Sequence, residues 1–355
     1  MKFKHSGLAI VFLVLLSTSI PVPTIKAKTT PSYQQLHNAA TYIAKRYDAR
    51  IGLVSESEDT SSDVPDGTPC YRTFWIYDDN LWASQALKPF YPQIANNISR
   101  TITPYIAKYG NSQLFEVVLG IEIPTTVHAR NKLKVATYTL KGDNYTVWVD
   151  RHRAEDGEIF YDADEYADLA FYLSLDYYLT GNIKASERWF RIGEAMWRDN
   201  GFYDKYAKAY ESYQSFKLGL YLLTAKATGF ISAIYDSVEK VAWSYQKGNG
   251  GIAAESHLNG TIYGTANIEA TAALLLAYND ELIERFRPIK PPDEQVIIIV
   301  LGVVITAIVT TVFIALSDAT PSHQYLTPKK HSMNIPSLSK IMFRLILSLS
   351  FYRYP

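Results

Sequence analysis

Between residues 32 and 284 the apolar positions recur with the helical period, and they do so in two alternating styles. In the first style one stripe is apolar and the rest polar: Leu36, Ala40, Ile43 and Tyr47; Ile94, Ile98, Ile102, Tyr105 and Tyr109; Ala185, Trp189, Ile192 and Met196; Ile231, Ile234, Val238, Val241 and Tyr245. In the second the segment is apolar nearly all round, as in NLWASQAL, YADLAFYLSLDYYL, YQSFKLGLYLL and ANIEATAALLLAY. A stripe covers a core from outside, whereas a helix apolar on every side is buried on every side. The alternation therefore predicts an all-α ectodomain over 32–284: about four helical hairpins arranged as an (α/α) toroid, with amphipathic helices outside and buried ones lining a central cavity.

Helix punctuation agrees with this division. Asp79, Asp164 and Glu165 fall in first turns, Pro89 ends the second helix, and Gly181 and Gly229 follow the fourth and sixth. One stretch departs from the helical period. From 133 to 149 the chain alternates by twos about Lys-Gly-Asp-Asn, which predicts an inserted β-hairpin, expected as a flap over the cavity mouth.

The two ends of the chain predict a different setting for that domain. Residues 1–27 place Lys2 and Lys4 before a short apolar core and then small residues, the layout of a signal peptide. Residues 296–316 carry no charge over a length that suits a transmembrane helix. A Pro-rich stalk, 285–295, precedes it, and a basic tail, 317–355, follows it, with helical amphipathic spacing from 335. The expectation is a single-pass plasma-membrane protein with its N-terminal domain outside the cell. Acceptor patterns for N-glycosylation at Asn97, Asn144 and Asn259 fit that placement.

Composition narrows the chemistry. Lys plus Arg and Asp plus Glu both number 35, and no basic run interleaves with aromatics, which argues against nucleic acid as a partner. Cys70 is the single cysteine, so burial rather than disulfides must hold the domain together. No His-x-x-x-His, paired-cysteine, phosphate-loop or Gly-x-Ser-x-Gly pattern occurs, and the sequence gives no reason to expect a metal or other cofactor. Tyrosine, at 27 residues, is in excess.

What remains are carboxylates at the starts of the buried helices. Glycoside cleavage uses one protonated and one ionised carboxyl group. Asp78 and Asp79, with Glu165 and Glu269, are the candidate catalytic residues. Asp162 and Asn267 stand at the same helix starts, Trp75, Tyr77, Trp82, Tyr161 and Tyr263 are candidates for stacking on sugar rings, and His257 for orienting a hydroxyl. Each residue also has a plain structural reading. Asp78 suits an N-cap, with Asp79 in the first turn beside the helix dipole, and aromatics fill helical cores for their area alone.

The segment Tyr77-Asp78-Asp79-Asn80-Leu81-Trp82-Ala83, opening a buried helix, resembles the six-hairpin glycosidase superfamily, and its paired aspartates are similar to those of the endo-α-1,6-mannanase family. Tyr166-Ala167-Asp168-Leu169, Tyr178-Leu179-Thr180-Gly181-Asn182, Gly250-Gly251-Ile252 and the run from Ala266 to Thr271 resemble hairpin repeats of such toroids. The resemblance implies that adjacent aspartates act as nucleophile and acid/base on a glycan. A full ring needs twelve helices and the sequence shows eight, so the ring is open, shortened or closed by a second copy, as in a homodimer. Two rival functions remain at this point: a non-catalytic glycan-binding scaffold, and a handler of lipid-linked glycan or polyprenyl chains.

Overall fold

The structure, a computed structural model, describes residues 31–286. The expected signal peptide, transmembrane helix and tail, and all of the stalk after Phe286, lie outside the described residues. Among the described residues no helix is long and apolar enough to cross a membrane.

The chain runs α1 (Tyr33–Lys45), β1 (Tyr47–Asp48), β2 (Leu53–Val54), β3 (Thr73–Trp75), α2 (Trp82–Ala86), α3 (Pro92–Tyr109), β4 (Asn131–Leu140) and β5 (Asp143–Arg151). It continues with α4 (Ala167–Leu179), α5 (Ile183–Ala195), β6 (Trp197–Arg198), β7 (Gly201–Phe202), α6 (Lys205–Tyr210) and β8 (Ser212–Gln214). The last third holds α7 (Phe216–Thr228), α8 (Tyr235–Ser244), β9 (Ala253–His257), β10 (Ile262–Ala266), α9 (Ile268–Leu276) and α10 (Asp280–Glu284).

The all-α expectation is wrong. The protein is mixed α/β, 48% helical and 19% strand, with four sheets. Strands sit between the helices where an all-helical ring would carry loops. Two of the sheets are hairpins of two-residue strands, β1–β2 and β6–β7, each directly after an amphipathic helix. The other two are three-stranded, ordered β3-β5-β4 and β10-β9-β8. In β10-β9-β8 all pairing is antiparallel, but β3 pairs in parallel with β5, Thr73 opposite Thr146 and Trp75 opposite Trp148.

That parallel pairing corrects the flap expectation. The β4–β5 hairpin turns at Lys141 and Gly142, both with positive φ (55° and 89°), a conformation that suits a tight hairpin turn. Its second strand then buries Val147, Trp148 and Val149 and continues the sheet into β3. It is a core strand, not a lid.

The helices themselves follow their apolar pattern. The four segments apolar all round become α2, α4, α7 and α9, and α4 packs on α7, α7 on α9, and α9 on α2. Amphipathic α5, α8, α1 and α3 cover them in turn. The starts are conventional: Ser32 and Gln35 form a reciprocal capping box on α1, and Asn267 caps α9 by accepting from the Ala270 amide. Helix α2 begins differently. Residues Ile76–Leu81 form a wide π-helical turn after β3, without a side-chain cap, and every one of them is buried.

The crossing of α7 and α9 leaves no room for a side chain at Gly219. A Cβ there would lie 2.4 Å from the Leu274 nitrogen and 2.5 Å from the Ala273 carbonyl carbon, which are backbone atoms and cannot swing aside. Alanine favours a helix over glycine by ~1 kcal/mol, yet overpacking costs about 1–3 kcal/mol. Gly219→Ala is thus expected to lower the urea midpoint of unfolding. A midpoint equal to or above that of the wild type would show that the two helices are not held at this distance.

Candidate active site

The paired aspartates are not caps. Asp78 and Asp79 lie inside the π-helical turn, 4% and 1% exposed, and Trp75, not Asp78, occupies the capping position. Asp78 Oδ1 accepts from the Asp79 amide at 3.0 Å, while Oδ2 accepts from Arg130 Nη2 at 2.8 Å. The same Nη2 lies 2.5 Å from Oδ2 of Asp150, a fully buried carboxylate near the end of β5. One guanidinium thus joins the turn before α2 to the core strand of the β3-β5-β4 sheet. Its face also lies 5.4 Å from the Trp75 ring.

Around this bridge the charges are unbalanced. Asp78, Asp79, Glu56, Glu269 and Asp150 act on one another electrostatically, with Arg130 the cation at their centre. Burial, then the charge of Asp150, pushes the Asp78 carboxyl up to about 8 against the pull of Arg130. Glu269, half-buried at the start of α9, is pushed up to about 8 by burial and then by Asp78. Glu56 reaches about 8 through burial and the charge of Asp63, opposed by the Trp75 indole, which donates to it at 3.0 Å. Asp79 is raised by burial and by Asp78. The cluster is a store of protonated carboxyl groups at neutral pH.

It also holds unsatisfied polar atoms. Neither Asp79 Oδ2 nor the Tyr172 hydroxyl, both buried, finds a hydrogen-bond partner among the described residues. A buried polar group without a partner costs stability.

Beside the cluster opens a cavity of about 210 Å³, and Arg130, whose side chain keeps 38% exposure, forms part of its wall. His128, His152, Phe160, Tyr166, Asp168, Tyr206, Gln214 and Lys217 complete the polar and aromatic lining. Lys217 is buried in α7 and lies 3.3 Å from Asp168 and 2.5 Å from Asp204. Burial works against its charge, but the two carboxylates more than offset that and hold its pKa above the ordinary value. Asp204 also caps α6 through the Ala207 amide and accepts from the Ala167 amide at the start of α4. Burial drives His152 down to about 4, so it lines the cavity as a neutral imidazole, its Nδ1 2.9 Å from the His128 carbonyl oxygen.

The other sequence candidates scatter. Glu165 is exposed and pairs with Lys205 at 3.1 Å, and Asp162 pairs with the same lysine, so both belong to a surface ion cluster apart from the carboxylates of the core. Tyr161 is 87% exposed. Trp75, Tyr77 and Trp82 are core anchors: the tyrosine hydroxyl donates to the Gly110 carbonyl and the Trp82 indole to that of Phe115 at 3.1 Å. Asn267 is occupied as a cap. His257 and Tyr263 face each other on β9 and β10, their rings stacked at 4.3 Å. Of the glycosylation acceptors, Asn144 and Asn259 are exposed and Asn97 is half-buried beside Arg100.

Several residues of the site escaped the sequence reading. Arg130 and Asp150 carry no local signal, since their meeting depends on the sheet. Lys217 did carry one: a lysine inside a helix apolar on all sides needs a buried anionic partner. Glu56, Asp63 and Cys70 form a further group whose ligand atoms lie within 4.8 Å of one another. Burial, followed by those two carboxylates, pushes the Cys70 thiol up to about 12, which keeps it protonated.

No family model, no curated protein and no solved structure matches this chain.

The raised carboxyl groups link stability to pH. Asp78, Glu269 and Glu56 titrate near 8 when folded and near 4 when unfolded, so between those values the folded chain holds more protons. Their contribution is complete below about pH 4 and is lost as pH rises through about 8. His152 acts oppositely, but only between about 4 and its ordinary 6.5. From pH 6.5 to 8 the thermal midpoint should therefore fall. A midpoint that rises over this interval would show that the cluster is ionised in the folded state.

Proposed function

We propose that this chain is a glycoside hydrolase whose chemistry takes place where the cavity meets the carboxylate cluster. The observation that carries the reading is the pairing of two kinds of carboxyl group. Glu269 is held protonated near neutrality, and Asp168 sits in the cavity wall against the buried Lys217 ammonium. Glycosidic cleavage calls for that division between an acid and a carboxylate.

In this reading Glu269 gives its proton to the glycosidic oxygen as the bond to the anomeric carbon breaks. Asp168 supports the positive charge that develops there, and one water is consumed overall. Asp78 and Asp79 touch no substrate. The burial of Glu269, and after it the nearness of Asp78, raise the Glu269 carboxyl, and Arg130 limits how far. The paired aspartates thereby act as positioning and tuning residues, one step removed from the role that the mannanase resemblance implies. The size of the cavity, about 210 Å³, suits one sugar ring rather than a polyprenyl chain.

Reducing-sugar release from a panel of neutral polysaccharides tests this directly. Asp168→Asn and Glu269→Gln should each lower turnover by ~10²-fold or more, since an amide neither donates the proton nor stabilises the cation. Asp78→Asn should keep activity but move the alkaline limb of the pH–rate profile downwards, because Glu269 loses the charge that raises it. Turnover in Asp168→Asn close to that of the wild type would remove the proposed mechanism.

A further inference from the structure

In the sheet β10-β9-β8 one face is in the core, and the other is buried at Ser212 and Ala253 but partly open between them. Residues directly opposite across antiparallel strands share a face. Gln214 stands opposite Glu255, and Glu255 opposite Tyr263, so the three form one row across the sheet. His257, two residues beyond Glu255, shares their face and stacks on Tyr263 at an angle of 22°. Their neighbours Tyr213 and Ser256 point the other way and are buried.

This outer face is continuous with the cavity. Gln214 is part of the cavity wall, and so is Tyr206 of α6, whose hydroxyl donates to Glu255 Oε1 at 2.7 Å. One turn later Tyr210 leans on Tyr206, with ring centroids 4.5 Å apart and planes tilted by 34°, and stands 68% exposed. Tyr263 donates to the other Glu255 oxygen. Glu255 thus sits between two ring pairs, Tyr206 with Tyr210 and His257 with Tyr263. Each of its oxygens accepts one tyrosine hydroxyl and retains a further lone pair.

We propose that this face is a second carbohydrate subsite, so that the substrate is an oligosaccharide chain that runs from the cavity across Glu255 to Tyr210 and His257. This rests on the glycoside-hydrolase reading of the cavity. The chemistry fits a neutral sugar: flat rings offer faces to its C–H side, and the free lone pairs of Glu255 accept its hydroxyls. The Glu255 carboxylate at the centre repels uronic acids and sulfated sugars. One ring pair that reaches out from the cavity wall and a second beyond it mean that a chain of several residues binds better than a monosaccharide.

Electrophoretic retardation of the full chain in native gels tests the subsite, with α-1,6-mannan and hydroxyethylcellulose as neutral polymers and polygalacturonate as the anionic one. At least one neutral polymer should retard the wild type and polygalacturonate should not. Tyr210→Ala and His257→Ala should each weaken the apparent affinity roughly three- to tenfold, the loss of one stacking contact, with an unchanged thermal midpoint because both side chains are exposed. Equal retardation of the wild type and both variants would overturn the subsite. So would retardation by polygalacturonate alone, or by none of the polymers. The gel reads binding whether or not a bond is cleaved. A chain that binds through Tyr210 and His257 without releasing reducing sugar would therefore sink the hydrolase reading and leave the platform standing.

Discussion

The Arg130 guanidinium is the contact on which the site depends. It approaches Asp78 and Asp150 with a single nitrogen, and these two carboxylates come from a helical turn and a β-strand. Two buried acids of like charge so close would otherwise force each other towards the neutral form or apart. Arg130 pairs with both, but one cation does not offset burial and the mutual repulsion of the acids around it, so in Asp79, Glu56 and Glu269 the protonated form stays favoured. The result is a fold that keeps protons at pH values where exposed carboxylates have lost them.

A second cation does a different task. Lys217 fixes the mutual positions of three helices, since Asp168 belongs to α4, Asp204 caps α6 and the lysine itself belongs to α7. A lysine buried without partners would lose its proton. Here the paired carboxylates keep the ammonium charged, and in return it holds one carboxylate against the cavity. Arg130 and Lys217 thus each serve structure and electrostatics together.

The helices and the long hairpin of this arrangement were legible in the sequence and the short strands were not. Segments such as YADLAFYLSLDYYL are long enough for periodicity to separate them from strands, and they became α4, α7 and α9. Strands of two residues, as in β1, β2, β6 and β7, are too short for a period of two to repeat. Strand β8 was hidden for a related reason: Tyr213 and Gln214 run straight into α7, so the apolar count of YQSFKLGLYLL reads as one helix. The longer hairpin was visible because its alternation persists over many residues, but nothing in that alternation tells a lid from a core strand. The aspartate pair and Glu269 were found through their place at helix starts. Asp168 was visible only as part of a repeat-like motif, and Arg130 lies in an irregular stretch where no local rule singles out one arginine from another.

The parallel pairing of β3 with β5 sets an order of events. Thr73 and Thr146 are distant in sequence, and with β4 and β5 joined by a tight turn the hairpin forms on its own from local contacts. Docking that hairpin onto β3 closes a long loop, an entropic cost met before any contact across it is gained. Arg130 directly precedes β4 and Asp150 lies opposite Lys132, so these two meet within the hairpin, whereas the turn that carries Asp78 and Asp79 follows β3 without a residue between them. The contact of Asp78 with Arg130 therefore depends on the pairing of β3 with β5. Until then the carboxylates remain hydrated and ionised, and the chain takes up protons from solvent at the step that assembles its own acid.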